Sequence, residues 1–488
     1  MAFKDNLKIF AAPILIFIVL VAVLYLQFFS RTSKIQIVYD SPLNSLNPYT
    51  YSDFNTSRLN YIYESLISYD QNLNLSPVLA TSYGKIDPLT VEFKLKPNVK
   101  FHNDADLTSR NIKEIIESLK DQSNLAEILS TFESIEVIDD LTFRLVLNQE
   151  DPFVFHKFTL IPIAKFQKIE NLEIAPNGTG YYKFVEQSDN KIALEINPNY
   201  HSTKPDFEFL DLVAIPEFAK RIEYANLENK VVALYGVSPD TQILNVDKFQ
   251  LLNNSDQSTN FILFNYASNL AKDQSFQDTF YQIFKAIDFE VLTSSMGKNT
   301  NQFLAKGVFG YNPNIDFELQ SLKDLKDSPE IQKLQSQEIS LAIPAPFSKF
   351  QIFLNELFQT LNLKVAIQPL EFNDYNQEKL ADFDLIMFGF KADFADGTSF
   401  YNAFAKSDSS LNFTQYSNPK IDEILEELKS ITDENQKIQK LQTLAELANQ
   451  KRLGIPLFEN QNYYALSKDF SLKTRLDGLI DIKFLKAK

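Results

Sequence analysis

The sequence contains no cysteine and no tryptophan, and only three histidines and 11 glycines in 488 residues. Without cysteine there is no disulfide, no thiolate nucleophile, no cysteine-ligated zinc and no lipid carried on a cysteine. His102, His156 and His201 stand far apart in the chain, so a histidine metal cluster is not expected. Stacking on a ligand falls to the 43 Phe and 21 Tyr. Scarce glycine removes the phosphate loops: neither the P-loop pattern nor GxGxxG occurs, and GxSxG and HExxH are absent as well. Basic residues are also short, 47 Lys plus Arg against 63 Asp plus Glu, giving a net charge of −16. No basic run concentrates what positive charge there is, which excludes nucleic acid as a partner and makes anionic membrane surfaces poor partners for the main body. No cofactor is implied.

What is present is an ordinary globular composition, 44% hydrophobic and 23% charged, on a chain long enough for two or three lobes. Ahead of it, Ile9 to Phe29 carries no charge, enough to span a bilayer as a helix, with Pro13 near its start and Tyr25, Phe28 and Phe29 at its far end. A cleaved secretory signal is the rival, but the run exceeds a usual signal core and FFSRTSK offers no small-x-small site. An uncleaved anchor is therefore expected. Lys4 and Lys8 before the span nearly balance Arg31 and Lys34 after it, so charge leaves the topology open.

No Gly/Ser- or Pro-rich linker and no repeat divides the body, so its lobes are expected to interweave. KIQIVY (Ile35, Ile37, Tyr39), TVEFKLK (Val91, Phe93, Leu95), LTFRLVL (Leu141, Phe143, Leu145, Leu147) and KIALEIN (Ile192, Leu194, Ile196) alternate as half-buried strands do. Asn418-Pro419 caps a helix with an apolar stripe at Ile421, Ile424, Leu425 and Leu428. Thr432 opens a second, carrying Ile438, Leu441, Leu444 and Leu447. DFDLIMFGF reads as a buried strand. Helices and strands mixed in this way imply an α/β or α+β protein. NGTGYY at Asn177 to Tyr182 reads as a turn whose glycines supply positive φ. Asp393 and Asp396, three apart in KADFADGTSF, could serve a hydrolase as a carboxylate pair, but spacing within one loop sets no catalytic separation. Asp396-Gly397 is more simply a turn. Asp393, at the end of a strand, could face a cleft and accept from a ligand ammonium, or cap backbone amides.

Landmarks then occur in a fixed order: SLNPY at 45–49, IYESLISYD at 62–70, LSPVLATSY at 75–83, TVEFKLKPNVKFHNDADLT at 90–108 and IEVIDDLTFRLVL at 135–147. NGTGYYKFVE, INPNYH at 196–201, Asn265 in ILFNYA, FKAID at 284–288, DFDLIMFGFKADFADGTSF and YSNPKIDEIL follow. In this the chain resembles the family 5 extracytoplasmic solute-binding proteins, the peptide-, dipeptide- and nickel-binding subunits of ABC importers, over roughly 450 residues. The resemblance departs at TFYQIFKAID, which lacks the usual arginine, at Ala105 in place of a common glycine, and at Asn111 in place of an acidic residue. The anchoring cysteine of lipoprotein relatives is missing, as is a match for the basic residues that hold a ligand carboxylate.

The resemblance implies a two-lobed, periplasmic-binding-protein-like α/β fold (type II, cluster C) with an extra domain, here preceded by one N-terminal transmembrane helix. Its domains would be an anchor at 1–34, a discontinuous first lobe (35–64, 164–262 and 460–488), an extra domain at 65–163 and a second lobe at 263–459. Two crossover strands would join the lobes, with hinge closure around ligand. It implies that Asp393 pairs with a peptide α-amino group and that Phe390 lines a side-chain pocket. Backbone groups of Gly389 and Lys391, and of Ser52 and Phe54 opposite, would hold an extended peptide like an added strand. The function expected is a non-enzymatic, monomeric receptor on the outer face of a cell membrane that hands peptide to permease subunits. The alternatives are the same fold binding a nickel complex, haem or oligosaccharide, or a membrane-anchored surface hydrolase or sensor using Asp393 and Asp396.

Overall fold

The structure, a computed structural model, describes residues 34–488 except 44, 50–57, 121–125, 152, 170–171, 240, 242–243, 372–373, 393–395, 432 and 476–478. The apolar run Ile9 to Phe29, and the anchor read from it, lie outside the described residues. Among those described, no helix is long and apolar enough to cross a membrane.

The strands that organise the molecule are β1 (Lys34–Tyr39), β2 (Ala80–Asp87), β3 (Thr90–Leu95), β4 (Phe132–Val137), β5 (Thr142–Leu147), β6 (Tyr182–Ser188), β7 (Lys191–Ile196), β8 (Phe209–Ala214), β9 (Val231–Tyr235), β10 (Phe249–Phe264), β11 (Gly297–Asn299), β12 (Glu338–Pro344), β13 (Lys364–Leu370), β14 (Leu385–Lys391) and β15 (Gly454–Ser467). The helices used below are α1 (Ser109–Leu119), α2 (Val154–Lys157), α3 (Phe218–Leu227), α4 (Gln274–Lys285), α5 (Thr398–Phe404), α6 (Pro419–Ser430) and α7 (Glu434–Gln450). An 11-stranded mixed sheet runs β6-β7-β8-β1-β9-β15-β10-β14-β12-β13, with β11 added on β15. A separate antiparallel sheet, β2-β3-β5-β4, carries α1.

Burial follows pairing. β3 and β5 alternate buried and half-exposed residues, as expected of antiparallel strands with one covered face. β1 does not alternate: Ile35 to Tyr39 are all buried, because β1 lies between two parallel neighbours, β8 and β9, in the middle of a sheet covered on both faces. α6 is capped by Asn418, whose side chain accepts from Lys420 N and Ile421 N, and it buries Ile421, Ile424, Leu425 and Leu428. The cap of α7 is Asp433, accepting from Gln436 N, one residue later than Thr432. Asn111 acts at the start of α1, its side chain accepting from Thr108 N at 3.0 Å, a task an acidic residue performs equally well.

The glycines of NGTGYY work differently from the turn expected. Neither Gly178 nor Gly180 has positive φ. Instead their backbone lies against Tyr61 and Ile62, where a Cβ on either would collide with a main-chain carbonyl. Gly180 N donates to Ile62 O (2.9 Å) and Tyr182 N to Tyr61 O (3.0 Å), so the motif splices two distant segments.

The buried apolar residues separate into four clusters. Two contain residues up to Phe249 and again from Tyr464 onward; the other two contain residues from Phe261 to Phe458. Between them the chain crosses twice, on β10 through NNSDQSTN (253–260) and on β15 through ENQN (459–462). Two cores thus meet through a polar joint made by one antiparallel strand pair.

Candidate functional site

At the joint the β10–β15 ladder slips register between Ser255 and Thr259, and Gln257 takes a φ of 63°. Asn260 Nδ2 donates to Asn460 Oδ1 (2.9 Å), and Asn460 Nδ2 donates to Ser258 Oγ (2.6 Å). Burial holds the Glu459 carboxyl above its ordinary pKa, opposed by the Lys306 amide that donates to it. Ser258, Asn260 and Asn460 thus satisfy one another, while Asn254 Oδ1 and Thr259 Oγ1 are buried without a hydrogen-bond partner among the described residues.

β14 leads from the second core to this joint. On one edge it pairs with β10 along its whole length, placing Gly389 opposite Asn260, Phe390 opposite Thr259 and Lys391 opposite Ser258. On its other edge β12 accompanies it only at Leu385 and Ile386. Beyond Ile386, among the described residues, no strand covers that edge, although Tyr375 OH donates to Met387 O (3.1 Å). Gly389 and Lys391 are exposed there. The half-buried Phe390 lies edge-on to Phe400 and Phe404 of α5, at 5.5 and 5.8 Å between ring centres. Three expected site residues, Gly389, Phe390 and Lys391, therefore lie on the stretch of β14 that no described strand covers on its second edge. The other three, Ser52, Phe54 and Asp393, lie outside the described residues.

The described residues on either side of 393–395 are tied to the body of the protein. Ala392 N donates to Gln257 O (3.4 Å) at the joint. Asp396, 3% exposed, accepts from Thr398 N (2.7 Å) through Oδ1 and pairs with Lys437 Nζ (3.1 Å) through Oδ2. Both of its oxygens are thus committed to structure.

A contact that the sequence does not announce lies beside Asp396. Lys437 of α7 also lies over the ring of Phe153, 5.3 Å from its centre, and Phe153 belongs to the part of the chain whose core is the first one. Beside it His156 is half-buried, and this desolvation lowers its pKa, while the neighbouring Asp396 charge opposes the shift. Asp151 builds the segment: it accepts from Phe153 N (2.8 Å) and Thr131 Oγ1 (2.6 Å) and pairs with Lys157 Nζ (2.7 Å). The only local signal is an aspartate ahead of α2, and nothing in DPFVFHK announces a partner near residue 437. The remaining histidines sit elsewhere, His102 Nε2 on Gly180 O (2.9 Å) and His201 Nε2 on the buried Glu64 (2.8 Å).

Two cores joined by crossing strands, with an open strand edge at the joint, define a two-lobed binding protein with a mixed α/β sheet. A model described as bacterial extracellular solute-binding proteins, family 5 (middle), matches residues 74–412. The oligopeptide-binding protein AppA of Bacillus subtilis is 22% identical over 439 residues, covering 80% of this chain and 79% of that one. The nickel-binding protein NikA of Staphylococcus aureus is 22% identical over 398 residues, 76% of this chain and 77% of that one. The structure of Bacillus subtilis AppA with a nonapeptide superposes with a TM-score of 0.68 at 18% identity, over 93% of this chain and 99% of that one. The chain belongs to the family 5 extracellular solute-binding proteins of ABC importers.

Proposed function

We propose that this protein captures a peptide in the cleft between its lobes and presents it to the permease subunits of an ABC importer, held at the membrane by the uncleaved run Ile9 to Phe29. The observation that supports the peptide reading is the second edge of β14 at the exposed Gly389, which no strand covers among the described residues and where an extended chain would add as a strand beside the Phe390 ring. Asp393 would hold the ligand ammonium, and Ser52 and Phe54 would complete the backbone contacts from the first lobe. The lobes would be those given by the sequence boundaries, with the extra domain at 65–163 sharing the first lobe's core. The oligopeptide-binding name of the Bacillus subtilis relative supports a peptide. Both oxygens of Asp396 are engaged by Thr398 and Lys437, which disfavours a hydrolytic Asp393–Asp396 pair.

The test is a thermal-shift titration with pooled short peptides, oligosaccharides and nickel chelates, with Asp393→Ala alongside. A ligand bound only by the folded state raises Tm in a concentration-dependent way. Peptides are expected to do so, and acetylating their α-amino group or substituting Asp393 to abolish the shift. A shift with sugars or chelates alone would remove the peptide reading.

A further inference from the structure

Strand polarity brings a particular face of the first lobe to the point where the chain leaves toward its N-terminus. Lys34, the first residue of β1, lies opposite Phe209, the first of β8. Gln36 lies opposite Val231, the first of β9, so Leu227 and the turn after α3 precede it at this same end. β15 runs antiparallel and reaches this end with Ser467, which lies opposite Phe249, the first residue of β10. Val246, just before β10, is therefore here too. The neighbourhood is direct, since Asn245 N donates to the Asn226 side chain (2.9 Å) and Lys248 Nζ donates to Glu228 O (2.6 Å).

This end presents apolar side chains to the outside. Leu227 is 72% exposed and Val246 70%, with Phe209 at 37%. On a chain of net charge −16, charges of both signs are interleaved here, Lys34, Lys230, Lys248 and Lys468 with Glu195, Glu208, Glu228, Asp247 and Asp469. Exposed apolar side chains within a nearly balanced set of charges suit the headgroup zone of a bilayer, where acidic surface elsewhere on the molecule would be repelled. The uncharged run ends at Phe29, and only residues 30–33 separate it from β1. Fully extended, the steps from Phe29 to Lys34 reach at most about 17 Å.

We infer that this end of the first lobe rests on the bilayer, with Leu227 and Val246 entering the headgroup zone; the inference rests on reading Ile9 to Phe29 as an uncleaved anchor. β10 and β15 both lead away from this end toward the second core, so the receptor stands on its first lobe with the joint and second lobe held above the lipid.

The absence of native cysteine makes the test clean. Single cysteines are placed in the full-length chain at Leu227, Val246 and, on the second lobe, Ile352, itself 69% exposed. Each is labelled with a polarity-sensitive fluorophore and incorporated into vesicles of phosphatidylcholine and phosphatidylglycerol carrying a headgroup-level spin-labelled quencher. Probes at 227 and 246 are expected to shift to the blue and to be quenched severalfold more than the probe at 352. Equal, weak quenching at all three positions in protein that resists alkaline carbonate extraction overturns the inference and leaves the anchor standing. Protein released by carbonate overturns the anchor reading and the inference with it.

Discussion

His102 sits where the NGTGYY segment is spliced onto its neighbours, and its burial pushes its pKa down to about 4. Nε2 donates to Gly180 O, while Nδ1 is buried without a hydrogen-bond partner among the described residues, so a second proton there meets no acceptor among them. An unfolded histidine titrates near 6.5. Between that value and about 4 the unfolded chain binds more protons than the folded one. Stability is therefore full above the window and falls as pH drops through it, by up to about 3 kcal/mol from this group. Urea unfolding of His102→Gln, which keeps a donor for Gly180 O, should lose less stability between pH 7.5 and 4.5 than the parent; an identical loss would remove His102 from the acid response. A second residue-scale prediction concerns Phe153. Phe153→Ala deletes its cation–π contact with Lys437, a contact in a range of about 0.5–2 kcal/mol, and leaves the Lys437–Asp396 pair intact. Small-angle scattering should then report a larger radius of gyration with little change in Tm. An unchanged radius would mean that the contact does not hold the lobes together.

Among elements, β14 is decisive because one of its edges is spent on β10 and, past Ile386, no strand among the described residues covers the other. Gly389 leaves room beside Phe390: a Cβ there would approach Asn260 Oδ1 of the paired strand β10 at 3.1 Å, and a β-branched side chain would crowd the sheet face along which the side chains of an added strand must lie. Gly389→Val should weaken peptide binding about tenfold or more, about 1.4 kcal/mol, with Tm of the unliganded protein little changed. Full affinity in isothermal titration would place the ligand elsewhere. The elements were legible where a single rule controls them. β3 and β5 bury every second residue because one face of an antiparallel sheet is wet, and α6 follows its Asn-Pro cap and its stripe. β1 defied its own alternation because position in the sheet, which the sequence does not encode locally, buries both faces. Gly178 and Gly180 look like turn glycines, yet they answer to a carbonyl over a hundred positions away. Phe390, Gly389 and Lys391 were named for the ligand edge only through the family pattern of DFDLIMFGFKADFADGTSF, since no local rule marks them. The Phe153–Lys437 contact was not, since an aromatic and a lysine carry no mark of one another.

At the scale of the whole molecule, the order of the chain and the order of the sheet disagree. β15 lies between β9 and β10 in the sheet, pairing Ala233 to Tyr235 on one side and Phe249 to Ser255 on the other, yet it comes near the end of the chain. The second core is contiguous, from Phe261 to Phe458. As the polypeptide emerges from a ribosome, the second lobe can be completed while the first, begun earlier, still lacks an inner strand and leaves the flanks of β9 and β10 unpaired. Nascent chains stalled with residue 458 just exposed should show a protease-resistant second lobe and a cleavable first. Resistance of the first lobe should appear only once Tyr464 to Leu485 is free, and resistance before that would refute this order. The lobe that is translated first is closed last, and until then its partner is the only finished part of the receptor.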